Sequence, residues 1–412
     1  MDSYLLLKQG TIHNAMTEEP FIADILVENG KIKKIAPVLE GKVINEAKVI
    51  DATGIDIYPG FVDAHCHLGL DGYAVGFAGA DYNEPGDPVT PQLSAVDAVN
   101  PQDETFRMAR EGGVTCVSTG PGSSNVIGGT FCVIKTSGRR VDDMLVKGRS
   151  AMKIAFGENP KNCHKEKGVY SRMSVAAKLR ETLQMAQLYA KKCQEAGCPE
   201  GIGRADLAEL NGEALKQLPV YDAKMEAMLP VIRGEIPLKA HVHRADDIYT
   251  AIRIAREFQL DLRIDHVTDG ALIAEDLAKE GFPVAVGPSF GHAGKYELKN
   301  KGFHTPGILA KAGCQVSIIT DSPVIEQRYL ALCAARAIYN GMKEFDALQA
   351  ITIHPAKHIG ASDRVGSIEE GKDADFVLIK GTPFLIDARI LYTIIDGNIV
   401  YQSEDDVLGQ RY

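Results

Sequence analysis

The chain reads as an α/β protein built on a (β/α)8 barrel, and three observations carry that reading. Eight short β-prone runs follow one another through the middle of the chain. Helix-like segments fill several of the gaps, three of the runs end in histidine, and a fourth is followed directly by Asp321. The runs are Ile57 to His65, Val114 to Thr119, Phe131 to Lys135, Met152 to Phe156, Leu238 to His241, Leu262 to His266, Val284 to Gly287 and Val316 to Thr320. Barrel enzymes draw their chemistry from the carboxyl ends of different strands, so His and Asp at several run ends are the expected signature.

The two ends of the chain have a different texture. Residues 1 to about 58 alternate β-prone runs with turns, as in Tyr4 to Lys8, Ile22 to Val27 and Lys31 to Ala36, and Asn29-Gly30 between two of them is a strong hairpin signal. The C-terminal end repeats this pattern in Asp375 to Ile379 and Ile390 to Tyr401, with a turn at Asp396-Gly397-Asn398. One small sheet domain assembled from both termini follows. Between the ends, 3.6-residue periodicity predicts helices over Asp103 to Glu111, Arg172 to Ala196, Ala223 to Arg233, Asp246 to Phe258 and Gly270 to Glu280. Gly120 to Gly129 leaves no room for a helix between the second and third strands, so a loop is expected to make that crossover. The stretch from Asn159 to Pro237 is long for a βα connection and is expected to act as a solvated lid or an oligomer contact.

The 412 residues, 45% of them hydrophobic, allow a large core, and a formal net charge of -10 argues against nucleic acid or an anionic membrane as partner. The eight cysteines show no CxxC spacing and are expected to be reduced thiols. The N-terminus lacks the pattern of a signal peptide, and no segment approaches the ~20 apolar residues that span a bilayer. A cytoplasmic enzyme acting on a small molecule is expected, with a homo-oligomer compatible with the charged helical stretch.

Gly60-Phe-Val-Asp-Ala-His65-Cys-His67 carries the most chemistry. Two imidazoles one residue apart on a strand project to the same face, while Cys66 between them points to the other. Neutral imidazole suits zinc, nickel or iron. Further ligand types close Leu238-Lys-Ala-His241-Val-His243, Leu262-Arg-Ile-Asp-His266 and Val316-Ser-Ile-Ile-Thr-Asp321.

This order, HxH then His then His then Asp, resembles that of the amidohydrolase superfamily of metal-dependent hydrolases, and within it the branch of imidazolonepropionases and prolidase-like proteins. The resemblance covers nearly the whole chain. It implies a TIM barrel at 59–365 and a small β-sandwich domain formed from 1–58 and 366–412, where Gly366-Ser-Ile-Glu-Glu-Gly-Lys-Asp-Ala-Asp is similar to the superfamily's closing segment. It implies one or two divalent metal ions, zinc first, with iron, manganese or nickel as alternatives. It also implies hydrolysis of a carbon–nitrogen bond, an amide or cyclic amide, with deaminases and dipeptidases on the same metal frame as alternatives. A non-catalytic barrel scaffold would have lost ligands that this chain keeps.

In that resemblance His65 and His67 bind the more buried metal, and Asp321 both touches metal and takes the proton of the attacking water. His241 matches the fifth-strand ligand through Leu-Lys-x-His, with His243 as its rival. His266 is the sixth-strand histidine, a ligand in two-metal members and a group that polarises the substrate carbonyl in one-metal members. A bridge between two metals needs an anion at the fourth strand. Both Glu158, at its open end, and a carboxylated Lys153 qualify, and Glu158 is preferred. Gly128-Gly129-Thr130 reads as a turn, His292 and Lys295 as mouth residues after the seventh strand, and His354 as structural.

Overall fold

The computed structural model describes residues 4–41, 47–204, 212, 216 and 218–404. Parts of the two terminal segments and of the long 159–237 connection therefore lie outside the described residues. Five strands open the chain: β1 Tyr4–Ile12, β2 Phe21–Glu28, β3 Lys31–Ala36, β4 Lys48–Asp51 and β5 Asp56–Pro59. They share one sheet with three C-terminal strands, β14 Phe376–Lys380, β15 Arg389–Ile395 and β16 Asn398–Gln402, in the order β16-β15-β14-β5-β1-β2-β3, with β4 on β1. The two chain ends meet where β14 runs antiparallel to β5, Phe376 opposite Pro59. Leu7, Ile25, Val27, Ile57, Phe376 and Leu378 form its apolar core. Both expected hairpin turns have left-handed residues, Asn29 and Gly30 at φ 51° and 80°, Asp396 and Gly397 at 47° and 71°, as two-residue turns between twisted strands require.

The second sheet is the barrel: β6 Phe61–Cys66, β7 Val114–Thr119, β8 Ile127–Lys135, β9 Leu145–Ala155, β10 Leu238–Val242, β11 Leu262–His266, β12 Val284–Val286 and β13 Val316–Ile318. The run Ile57 to His65 predicts a single strand across β5 and β6. They are two strands in different sheets, divided at Gly60, whose missing side chain is required because a Cβ there would lie 2.1 Å from Thr115 Oγ1. The barrel is closed between its ends by side chains and loop backbone. Thr320 N and Oγ1 both donate to Asp63 Oδ2, at 3.1 and 2.6 Å, and His67 N donates to Ser322 O at 2.7 Å.

One strand departs from the expected topology. β8 pairs antiparallel with both β7 and β9, so no crossover joins the second and third strands, and the three form a meander. The short glycine-rich link explains it, since a parallel pair needs a connection of a dozen or more residues. The helix Glu104–Glu111 covers part of this side through Phe106 and Ala109. The outer residues Val114, Val117, Cys132 and Ile134 also join Val377 and Ile379 of β14 in a single apolar cluster.

Elsewhere the helices follow their periodicity. Ser171 caps the helix Arg172–Glu195, accepting from Ser174 N at 3.1 Å. Its buried stripe, Val175, Leu179, Leu183 and Ala186, packs in one cluster with Met152, Ile154, Leu238 and Ala240 of β9 and β10. This helix therefore belongs to the outer layer of the barrel and is not a lid over its mouth.

Candidate metal centre

β6 carries its two histidines past a register irregularity against β7 between Asp63 and Cys66, a bulge of the kind that re-aims side chains near active sites. Cys66 points away, its thiol donating to Ser118 O at 3.6 Å. His65 is fully buried, and its Nδ1 donates to Asp265 Oδ2 at 2.7 Å. His67 Nδ1 donates to Gly120 O at 2.7 Å. A carbonyl oxygen only accepts, so the proton of His67 sits on Nδ1 and Nε2 keeps its lone pair. Both Nε2 atoms converge on one carboxylate oxygen, Asp321 Oδ1, which is 3.4 Å from His65 and 3.3 Å from His67. Asp321 reaches them from just beyond β13 through a left-handed backbone, φ 53°, a conformation uncommon outside glycine that aspartate adopts more readily than most residues.

A second group lies beside the first. His241, His243 and His266 offer ring nitrogens within 4.8 Å of one another. His241 and His243 follow strict alternation on β10. His266 does not, because its neighbour Asp265 already faces the site. A left-handed φ of 76° at the end of β11 turns the imidazole inward as well. Its Nδ1 donates to Gly287 O at 2.8 Å, so Nε2 is again the bare nitrogen. Burial pushes the imidazolium of His266 down to about 3 and holds those of His241 and His243 well below the ordinary range, so all three rings are neutral at pH 7. His243 differs from the others: Nδ1 pairs with Thr268 Oγ1 at 2.8 Å, and Nε2 faces the buried Glu297 at 3.8 Å.

The fourth strand resolves its two candidates by geometry. Gly157, at φ 82°, turns the chain out of β9 before Glu158, which opens the short helix Glu158–His164. Glu158 Oε1 accepts from Glu297 N at 2.9 Å and is absent from both ligand groups, so the structure does not bring it to the centre. Lys153 enters instead. It is fully buried, and its Nζ lies 3.5 Å from His65 Nε2, with no carboxylate in hydrogen-bond reach among the described residues. Burial lowers its ammonium to about 8. The other mouth residues divide in the same way. Lys295 bonds Asn159 Oδ1 at 3.0 Å and Glu297 Oε1 at 2.5 Å, His292 is exposed, and Gly128 and Gly129 form an irregularity of β8 opposite Lys153. His354 Nδ1 donates to Val316 O at 3.1 Å, a structural contact.

Two carboxylates escaped the sequence reading. Asp265 holds His65, and Asp63 holds the β13 end through Thr320 and Gln327 Nε2, the latter at 2.6 Å. Their sequence signal was an acidic residue inside a buried strand.

The residues fit a divalent cation. His241 Nε2 and His266 Nε2 are buried without any hydrogen-bond partner, which costs about 1–3 kcal/mol per group unless something occupies the lone pair. Neutral imidazoles and a carboxylate are the donor set that zinc and its neighbours take. Comparison with known proteins agrees. An amidohydrolase from Thermotoga maritima of known structure is 39% identical, with a TM-score of 0.89 over 97% of this chain and 100% of that one. The chain belongs to the amidohydrolase superfamily. The family profile named Amidohydrolase family matches residues 240–400 of this amidohydrolase. An imidazolonepropionase of Cupriavidus necator is 25% identical over 86% of the chain and 84% of its own length, in keeping with the imidazolonepropionase-like branch. The amidohydrolase tasK of Hapsidospora irregularis is 28% identical over 94% of the chain, which spans 40% of that longer protein. Members of the family are hydrolases of carbon–nitrogen bonds that usually bind a divalent metal. No helix among the described residues is long and apolar enough to cross a membrane.

Proposed function

We propose that this amidohydrolase hydrolyses an amide or cyclic amide of a small molecule, with His65, His67, His241, His266 and Asp321 holding one or two divalent ions, zinc in first place. The observation that carries the reading is the convergence of two bare Nε2 atoms on the single oxygen Asp321 Oδ1, beside a second group of neutral histidines. A bound divalent ion supplies Lewis acidity and lowers the pKa of water toward ~7. The chain supplies the rest. Asp321 Oδ2, the carboxylate oxygen not shared by the histidines, accepts the proton of the attacking water and returns it to the leaving nitrogen. His243, restrained by Thr268 and facing Glu297, lines the substrate side of the second group.

Lys153 takes the bridging role that the sequence reading gave to Glu158. Its amine can add to carbon dioxide, forming an N–C bond and releasing one proton, and the resulting carbamate would be an anion on the side chain that stands 3.5 Å from His65 Nε2. The imidazolonepropionase relative supports a cyclic amide as the first substrate class to test. The test is metal analysis followed by assay. Purified protein should contain divalent metal, and metal-loaded protein should open cyclic amides or cleave amino-acid amides in a defined panel. Protein that neither contains nor rebinds metal would overturn the reading.

A further inference from the structure

Catalysis uses one nitrogen of His65, and the structure is equally specific about the other. Asp265, which receives Nδ1–H, is fully buried and takes donors from two more elements. Lys239 of β10 lies 3.1 Å from its Oδ1 and 3.0 Å from its Oδ2. His358, the last residue of the helix Ile353–His358 at the barrel floor, donates from Nε2 to Oδ1 at 3.1 Å. Lys239 Nζ and His358 Nε2 are 3.3 Å apart, and the His358 carbonyl accepts from Arg263 Nε at 3.0 Å. The contacts thus run without a break from Arg263 at the floor to the His65 ring.

We propose that Lys239, Asp265 and His358 form a positioning column that holds His65 in the tautomer and orientation presenting Nε2 to the metal. The inference rests on the reading of His65 as a ligand. A carboxylate bonded at three points cannot rotate away from Nδ1, and its charge raises the basicity of Nε2. A purely structural role explains the column poorly. Buried ion pairs are often no more stabilising than apolar residues of the same volume, so three polar groups in the barrel interior are a poor choice for stability alone.

The two roles separate in one set of variants loaded with zinc or cobalt, measured by chelator competition, cobalt absorption spectrum and melting temperature. Asp265→Asn should weaken the tighter-held metal by roughly 10–100-fold and shift the cobalt spectrum. Lys239→Met should lower the melting temperature, because Asp265 is left without its counter-charge. The double variant Lys239→Met/Asp265→Asn should recover the melting temperature while metal affinity stays low. His358→Gln, which leaves the Lys239–Asp265 pair in place, should weaken the metal less than Asp265→Asn. Recovery of both properties in the double variant, or wild-type affinity in Asp265→Asn, would make the column structural and overturn the proposal. Wild-type protein that binds neither zinc nor cobalt would instead overturn the metal-dependent reading on which the column rests.

Discussion

Lys135 Nζ lies 2.6 Å from Asp375 Oδ2, a buried ion pair between the last residue of β8 and the residue that leads into β14. Asp373 Oδ2 stands 3.0 Å from the same ammonium. Replacing Lys135 by Met would leave two buried carboxylates without their shared cation. The expected loss is about 3–5 kcal/mol, the usual cost of breaking a buried pair from one side. Urea unfolding at pH 7 measures it.

Acid stability should depend on Asp246. Burial raises its carboxyl, but hydrogen bonds from Arg244 and Arg172 outweigh this and bring it to about 2 from an ordinary 3.8. A folded pKa below the unfolded one gives stability that is complete above the unfolded value and is lost as pH falls through the folded value. The difference in melting temperature between wild type and Asp246→Asn should therefore be constant above about pH 5 and shrink between pH 4 and pH 2. Because the pair is half-exposed, added salt should reduce the difference at every pH.

Asp321→Asn keeps shape but cannot accept the proton of water. The expected loss in kcat is roughly 10²–10⁴-fold with substrate affinity nearly unchanged, and steady-state kinetics beside a direct binding titration reads both. Wild-type kcat in this variant would remove Asp321 from the proton-transfer step.

Lys153 and Glu158 separate by metal count. Lys153→Met should lose the second ion, and apoprotein reconstituted without carbon dioxide should behave likewise until bicarbonate is supplied. Glu158→Gln should keep the wild-type count, because its carboxylate serves the Glu297 backbone. Loss of an ion from Glu158→Gln alone would return the bridge to glutamate.

Gly60→Ala tests the join between the two sheets. The added methyl meets Thr115, and overpacking of this kind costs typically ~1–3 kcal/mol. Thr115→Ala in the same chain should recover only part of that loss in denaturant unfolding, because its Cβ still stands 2.8 Å from the added methyl.

The parts of the fold that could be read in the sequence were those governed by local pattern. Asn29-Gly30 and Asp396-Gly397 specified their hairpins through backbone conformation, and the helix Arg172–Glu195 was marked by its periodic apolar stripe. Alternation likewise placed His241 and His243 on one face and Cys66 on the opposite side from its histidine neighbours. It failed where the backbone leaves the strand. Gly157 carries Glu158 out of the site, and the left-handed His266 joins Asp265 inside it. Lys153 stands two residues before the end of β9, and the reach of its side chain to His65 is a property of length that strand position does not display. Asp265, Lys239 and His358 come together only across three distant elements, a relationship that no local pattern encodes.

The reversed third strand has a consequence for how the molecule holds together. Where an ordinary barrel would lay only helices over its second and third strands, this one adds β14, so Val377 and Ile379, beside Phe106 and Ala109, close an apolar surface that Val114, Val117, Cys132 and Ile134 would otherwise present to water. Neither sheet is thus a complete solubility unit. A fragment cut at Gly60 and before Phe376 would carry a bare hydrophobic flank, and should aggregate instead of melting reversibly. In the intact chain the barrel and the terminal sheet should unfold together, in one calorimetric transition.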